Sequence, residues 1–340
     1  MFLFTRSLIS ARVFLIIAIY AVLPIEAQTE TSLRSQGAKE VTLLIWGQEF
    51  SSAIERCHQL IADEPENPVG HFLMGLTYYA INNQFRNDFY ADSVIENLNA
   101  AISCAEIKIK EEKGNPDWYF VLGSAYGCRA LYRSIHGGWW GAFRDGHHSC
   151  SNLEKAFKLD STLTDALSGM GAYHYWKSAK TKVLTVLPFV GNKRKQGISE
   201  ILEAVNANGI MSQSARKSLL PIYFNEKNHE QVLALADSLD AMNILDLSSS
   251  LHLARALIEL GRWSDAEQAL GEVEAAWSSS IYNDPCGATE VLYLRARILR
   301  AQGDIIGVKE CLKRLSAMED SCAANAYFRQ TLSNARELSP

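Results

Sequence analysis

Gly75, Gly123 and Gly171 recur at intervals of 48 residues, each inside an apolar stretch of helical pattern: MGLTYY, LGSAYG and MGAYHYW. Glycine inside a helix costs about 1 kcal/mol relative to alanine, so three at one register require a packing reason, and close approach of two helices supplies it. Such a chain reads as a run of helical hairpins, none of which buries its apolar face alone and each of which covers the next. No segment alternates with period two over a useful length, and prolines are few, which argues against a sheet. The expected fold class is all-α, an α-solenoid of antiparallel helical hairpins.

The hairpins can be counted along the chain. A unit starting at Arg34 places Ala53, Cys57 and Leu60 on one face of its second helix, with Pro65 after it, and the next starts at Pro68 with Met74, Gly75 and Tyr78. Units from Pro116 and Thr164 follow, each lengthened by about 14 residues, with Leu122, Gly123 and Tyr126 and then Met170, Gly171 and Tyr173. This pattern resembles the tetratricopeptide repeat, a 34-residue helix-turn-helix in which a large residue and glycine stand mid-helix, an aromatic follows, and proline ends the unit. The resemblance implies a TPR-like superhelix over 28–338, with hairpins at 34–67, 68–115, 116–163, 164–210, 211–244, 247–282 and 286–318. A helix at 323–338 caps it.

First helices of that family line a concave surface, which by carry-over places Phe72, Leu76, Tyr79, Phe120, Ser124, Ala172, Tyr175 and Trp176 in a groove. Family members that clamp a peptide carboxylate use lysine and asparagine at positions held here by Phe72, Leu76, Phe120 and Ser124, so a carboxylate clamp is not implied. The competing reading makes these rings core filling between lengthened helices.

Three further features stand out. The insert IHGGWWGAFRDGHHSC, 135–150, combines four glycines with Trp139, Trp140 and Phe143, and is read either as a loop whose aromatics fold back over the second and third hairpins or as an aromatic lid or membrane-facing wedge, with Arg144 available to an anionic group. His136, His147, His148 and Cys150 have zinc-ligand chemistry, but adjacent histidines on a helix point about 100° apart, so no metal or other cofactor is expected. Nothing in the sequence supplies an orienting group for a nucleophilic Cys150, and no phosphate loop, HExxH or nucleophile elbow occurs, so the chain is read as non-enzymatic.

The last is KVLTVLPFVGNKRKQGI, 182–198, an apolar run before a basic turn at Lys193, Arg194 and Lys195. Over 183–223 it weakly resembles a eukaryotic tetratricopeptide family of inclusion-body and lipid-droplet clearance. A solvated hairpin turn and a peripheral contact with lipid headgroups both remain open.

The N-terminal residues carry Arg6 and Arg12, an apolar run of 11 residues from Val13 to Leu23, then Pro24 and Ala27. Spanning a bilayer takes roughly 20, so 1–27 is read as a cleaved signal peptide, with an uncleaved anchor over 7–23, spanning only if Arg12 is tolerated, as the alternative. Gln28, not a lipobox cysteine, would follow the cut. Cleavage moves the net charge from −5 to −6, and a mildly acidic chain without basic blocks argues against nucleic acid. Of the seven cysteines at least one stays unpaired; mostly buried thiols are expected, with Cys128–Cys150 and Cys286–Cys322 as candidate bridges.

The function expected is therefore that of an exported scaffold, periplasmic or outer-membrane associated, binding a protein partner or an apolar small molecule. A periplasmic small-molecule carrier or transporter accessory is the alternative.

Overall fold

Three of the described helices start where asparagine or aspartate precedes proline. In the computed structural model, which describes residues 32–180 and 192–338, Pro68, Pro116 and Pro285 are each the first residue of a helix. The side chain before each proline caps that helix: Asn67 accepts from Val69 N at 3.0 Å, Asn115 from Asp117 N at 3.0 Å and Asp284 from Cys286 N at 2.9 Å. Proline loses nothing at a position whose N–H has no intrahelical acceptor, and the Asx oxygen satisfies a neighbouring donor. The expected signal peptide and the apolar run 182–191 lie outside the described residues.

The described residues are all-helical, with no strand. In chain order the helices are α1 Gln36–Trp46, α2 Phe50–Asp63, α3 Pro68–Phe85, α4 Ala91–Glu111, α5 Pro116–Ile135, α6 Trp139–Leu159, α7 Ala166–Lys180 and α8 Arg194–Asn206. There follow α9 Ser212–Asn225, α10 His229–Ala241, α11 Leu247–Glu259, α12 Trp263–Ser279, α13 Pro285–Ala301, α14 Ile305–Ala317, α15 Glu319–Cys322 and α16 Ala326–Arg336. From α1 to α14 each helix packs on the next, and α3 also meets α5, α5 meets α7, and α7 meets α9. Pro221 lies inside α9, which runs on through it to Asn225. Gly261 and Gly303, at φ +72° and +80°, take the left-handed turn just beyond α11 and α13, a conformation cheap only for glycine.

The spaced glycines are crossing points. A methyl group on Gly75 would stand 2.8 Å from Leu98 Cγ of α4, one on Gly123 2.7 Å from Leu153 Cγ and 3.0 Å from Leu153 N of α6, and one on Gly171 2.5 Å from the Gly197 carbonyl oxygen of α8. Leu98, Leu153 and Ile201, the residues that fill these three approaches, are buried. One apolar cluster runs from Leu33 through these hairpins to Ile222, and a second joins Phe50, Ile81 and Phe85 to α9–α13.

That second cluster marks a departure from an open stack. The corner after α3, Arg86 to Asp88, receives residues some 200 positions further on. Trp277 Nε1 donates to the Gln84 carbonyl at 3.1 Å, Asn87 Nδ2 to the Tyr282 carbonyl at 2.9 Å, Asn325 Nδ2 to the Arg86 carbonyl at 2.9 Å and the Ala326 amide to Asp88 Oδ2 at 2.9 Å. Arg86, buried at φ +52°, pairs through Nε with Glu290 Oε2 at 3.0 Å, and Arg255 takes the other oxygen of Glu290. Burial opposes the charge on Glu290, but Arg255 and Arg86 overcome it and hold the carboxyl at about 2. The chain's end thus fastens onto its first third.

Of the two candidate bridges, Cys286–Cys322 is formed and ties α13 to α15. Cys128 and Cys150 are free and buried, as are Cys57 and Cys311.

Candidate functional site

The lid expected at 135–150 is mostly helix. Only Gly137 and Gly138 lie in the turn, and α6 begins at Trp139. Two of its four glycines are close-packing positions: a methyl group on Gly141 would come within 3.2 Å of Arg133 Cδ, and one on Gly146 within 3.2 Å of Tyr173 Cδ2, whereas Gly137, at φ +80°, takes the turn with open space around it. Asp145, wholly buried, anchors the segment to α5 by accepting from Arg129 Nε at 2.8 Å, Arg129 Nη2 at 2.9 Å and Arg133 Nη1 at 2.6 Å. Held this way, the first turn of α6 projects its aromatics into solvent: Trp139 is 50%, Trp140 82% and Phe143 42% exposed. Trp139 and Phe143 are four apart and Trp140 and Phe143 three apart, so the rings form one patch, with exposed Arg144 four residues beyond Trp140.

The groove is filled. Phe72, Phe120 and Tyr175 are buried, and Leu76, Tyr79 and Trp176 are half-buried against the same core. They share one apolar cluster with residues of α1–α9, in which α3 packs on α5, α5 on α7 and α7 on α9. Tyr175 Oη donates to Glu226 Oε1 at 2.8 Å and accepts from Asn225 Nδ2 at 2.7 Å, so its polar end is consumed within the fold. Burial likewise raises the Tyr79 phenol above its ordinary range. These rings do what the competing reading assigned them.

The basic turn is the start of α8. Lys193 caps it and donates its amide to Ser178 Oγ at 3.0 Å, Arg194 Nη1 bonds Glu226 Oε1 at 3.0 Å, and Lys193 and Lys195 are exposed.

The histidines weighed as metal ligands separate. His136 binds Asp88 Oδ1 at 2.8 Å, and His148 stacks on Tyr126 with centroids 5.1 Å apart. His147 lies 3.5 Å from Tyr173 Oη. Cys150 meets a different set. Its Sγ is 3.6 Å from Glu154 Oε1, one turn along α6, and 3.9 Å from Nε2 of His174 on α7; His174 Nε2 and Glu154 Oε1 are 4.0 Å apart. The far nitrogen of His174, Nδ1, lies 2.7 Å from Glu200 Oε2 on α8, and Gln196 Nε2 donates to Glu200 Oε1 at 2.7 Å. A carboxylate only accepts, so Nδ1 carries the proton and Nε2 turns its lone pair toward Cys150 and Glu154. Burial, with Glu154 alongside, pushes the Cys150 thiol up to about 12, which makes it a poor free nucleophile. Cys150 and Glu154 stand at an i, i+4 spacing visible in the sequence; His174 and Glu200 come from two other helices and give no local signal.

Among the described residues no helix is long and apolar enough to cross a membrane. No family model matches the chain, and no curated protein matches it in sequence.

Proposed function

We propose that this chain is a non-enzymatic, exported interaction protein of the tetratricopeptide type, and that it docks a protein partner on the first turn of α6 rather than in a concave groove. The observation that carries the reading is the patch of Trp139, Trp140 and Phe143, held in the open by the buried Asp145 ion pairs directly beneath it. Two tryptophans and a phenylalanine at those exposures offer roughly 400 Å² of apolar area, taking about 150–250 Å² for each ring when whole. That is about half of one partner's share in a standard interface and the size of the largest apolar patch on a typical monomer, which is often functional, and tryptophan is among the residues enriched at binding hot spots. Arg144 beside it favours an apolar segment flanked by a carboxylate.

Export is supported by the basic and apolar residues at 6–23 and by the Cys286–Cys322 bridge, since such bonds persist in oxidising compartments. The superhelical stack is supported by the sequential packing of helices and by the glycine crossings.

The test is co-purification from a cell-envelope fraction, followed by titration of the recovered partner against Trp139→Ala/Trp140→Ala. Loss of a hot spot worth about 2 kcal/mol or more weakens binding at least about 30-fold while helical circular dichroism is unchanged. Undiminished affinity in the double variant defeats the reading.

A further inference from the structure

The side chains of Cys150, Glu154 and His174 converge from α6 and α7, and we infer that they form a binding site for a zinc-class divalent cation, with Glu200 positioning the histidine. The donor set is thiolate, carboxylate and imidazole, the combination that borderline-soft cations take, whereas calcium and magnesium select oxygen alone.

The geometry fits without rearrangement of either helix. Around a tetrahedral ion with bonds of about 2.0–2.3 Å, neighbouring donors stand about 3.4–3.6 Å apart. Of the three separations here, that between Cys150 Sγ and Glu154 Oε1, 3.6 Å, lies at the top of this range, and the two to His174 Nε2, 3.9 and 4.0 Å, exceed it by a few tenths of an ångström. Glu154 is the member with room to move, its side chain being 40% exposed where that of His174 is 8%. Rotation of that carboxylate shortens its 4.0 Å separation from His174 Nε2, and a small shift of the Cys150 thiol takes up the 3.9 Å between Sγ and His174 Nε2.

The surroundings are built for a ligand histidine. In metal sites the nitrogen that does not bind the ion almost always donates to a carboxylate, carbonyl or water, which fixes the tautomer and the ring. Glu200 supplies this at 2.7 Å, and Gln196 holds Glu200 in turn. The result is a chain of three side chains, from α8 to His174 Nε2, that leaves one lone pair facing a thiol and a carboxylate. Capture of a cation forms an S–metal bond and releases the thiol proton to solvent, while the imidazole donates its lone pair with no proton lost. Three protein ligands leave one coordination position of a tetrahedral ion for water or an exogenous donor. The site is independent of the docking patch, which lies at the other end of α6, so either can fail alone.

The experiment uses the whole mature protein, stripped with chelator and then titrated with cobalt(II) and with zinc(II). Cobalt(II) is expected to produce the near-ultraviolet thiolate charge-transfer band and the intense visible bands of a tetrahedral centre at one equivalent, with zinc(II) displacing it. Cys150→Ser removes the thiolate band, Glu154→Gln weakens binding, and Glu200→Gln weakens it about 10- to 100-fold while the band remains, the mark of a positioning role. Cys311→Ser keeps the band. If Cys150→Ser does not fold, Glu154→Gln, at the partly exposed rim, decides. Absence of any thiolate band in the parent protein, its persistence in Cys150→Ser, or unaltered affinity in both Glu154→Gln and Glu200→Gln overturns the assignment.

Discussion

Replacing glycine by alanine in mid-helix ordinarily stabilises, and this protein offers the same substitution in two opposite settings. Gly271 lies inside α12 with nothing within 4 Å of the position a methyl group would take, so Gly271→Ala should gain about 1 kcal/mol from helix propensity alone. Gly171 lies inside α7 with the same intrinsic gain on offer. Its new methyl group, however, would stand 2.5 Å from the Gly197 carbonyl oxygen, 2.8 Å from Ile201 Cγ1 and 3.1 Å from Glu200 Cβ. The first of these is backbone and cannot rotate away, so α7 and α8 must separate by about an ångström along a seam packed by Ile201 and Tyr175, both fully buried. Overpacking of this kind costs about 1–3 kcal/mol, and the loosened seam adds to it. After the propensity gain the net loss is about 2 kcal/mol, which separates the two variants by about 3 kcal/mol. Urea unfolding followed by circular dichroism reads this as midpoints shifted in opposite directions at a common slope. Gly123→Ala, 3.0 Å from Leu153 N, should fall next, and Gly75→Ala, 3.3 Å from Leu98 N, should be mildest. A Gly171→Ala protein as stable as the parent, or a Gly271→Ala protein that loses as much, would refute the close-approach reasoning.

Other expectations follow from the closing corner and the bridge. The Glu290 carboxyl, lowered from 4.5 to about 2 once Arg255 and Arg86 outweigh its burial, contributes about 3 kcal/mol that is complete above pH ~4.5 and disappears as pH falls toward 2; Glu290→Gln should flatten that part of a stability profile. His252, lowered from 6.5 to about 3 by burial and then by Arg255 and Arg86, stays neutral in the fold while the unfolded chain takes up its proton, so stability drops as pH falls from 6.5 toward 3. His252→Gln should remove that slope, and an unchanged slope would contradict the assignment. Reduction of Cys286–Cys322, or Cys286→Ser, frees a loop spanning a separation of 36 residues and should cost about 4 kcal/mol in thermal or urea unfolding; a loss under about 1 kcal/mol would show that the bond constrains little. Trp140→Ala alone should leave folding within about 0.5 kcal/mol of the parent, since the ring touches little of the core.

The helical character and the role of Gly75, Gly123 and Gly171 were legible because both are local signals: capped prolines, a 3.6-residue apolar period and glycine at a fixed register. The aromatic insert was misread because glycine content has two causes. Gly141 and Gly146 mark close approach to Arg133 and Tyr173 rather than backbone freedom, and the buried Asp145 that decides between the two looks in sequence like any surface acid. The burial of Phe72, Phe120 and Tyr175 gives no local signal, because the residues packed around them come from several successive helices and no short pattern reports which rings those helices cover. Cys150 and Glu154 could have been paired from their spacing. His174 could not, since it follows Cys150 by 24 residues on a separate helix.

The clasp at Arg86 bears on how this chain can come into being and how it can change. Arg86 leaves the ribosome long before Glu290, Asn325 and Ala326, so until they arrive its guanidinium has Asn83 but no carboxylate to pair with, and the Arg86 carbonyl and Asp88 Oδ2 wait for their donors. An array held only by contacts between neighbours can shed or duplicate a unit and remain an array; here a duplicated hairpin anywhere between α4 and α10 would carry Glu290 and Arg255 together away from Arg86. The length of chain between Arg86 and Glu290 is thereby tied to one buried ion pair.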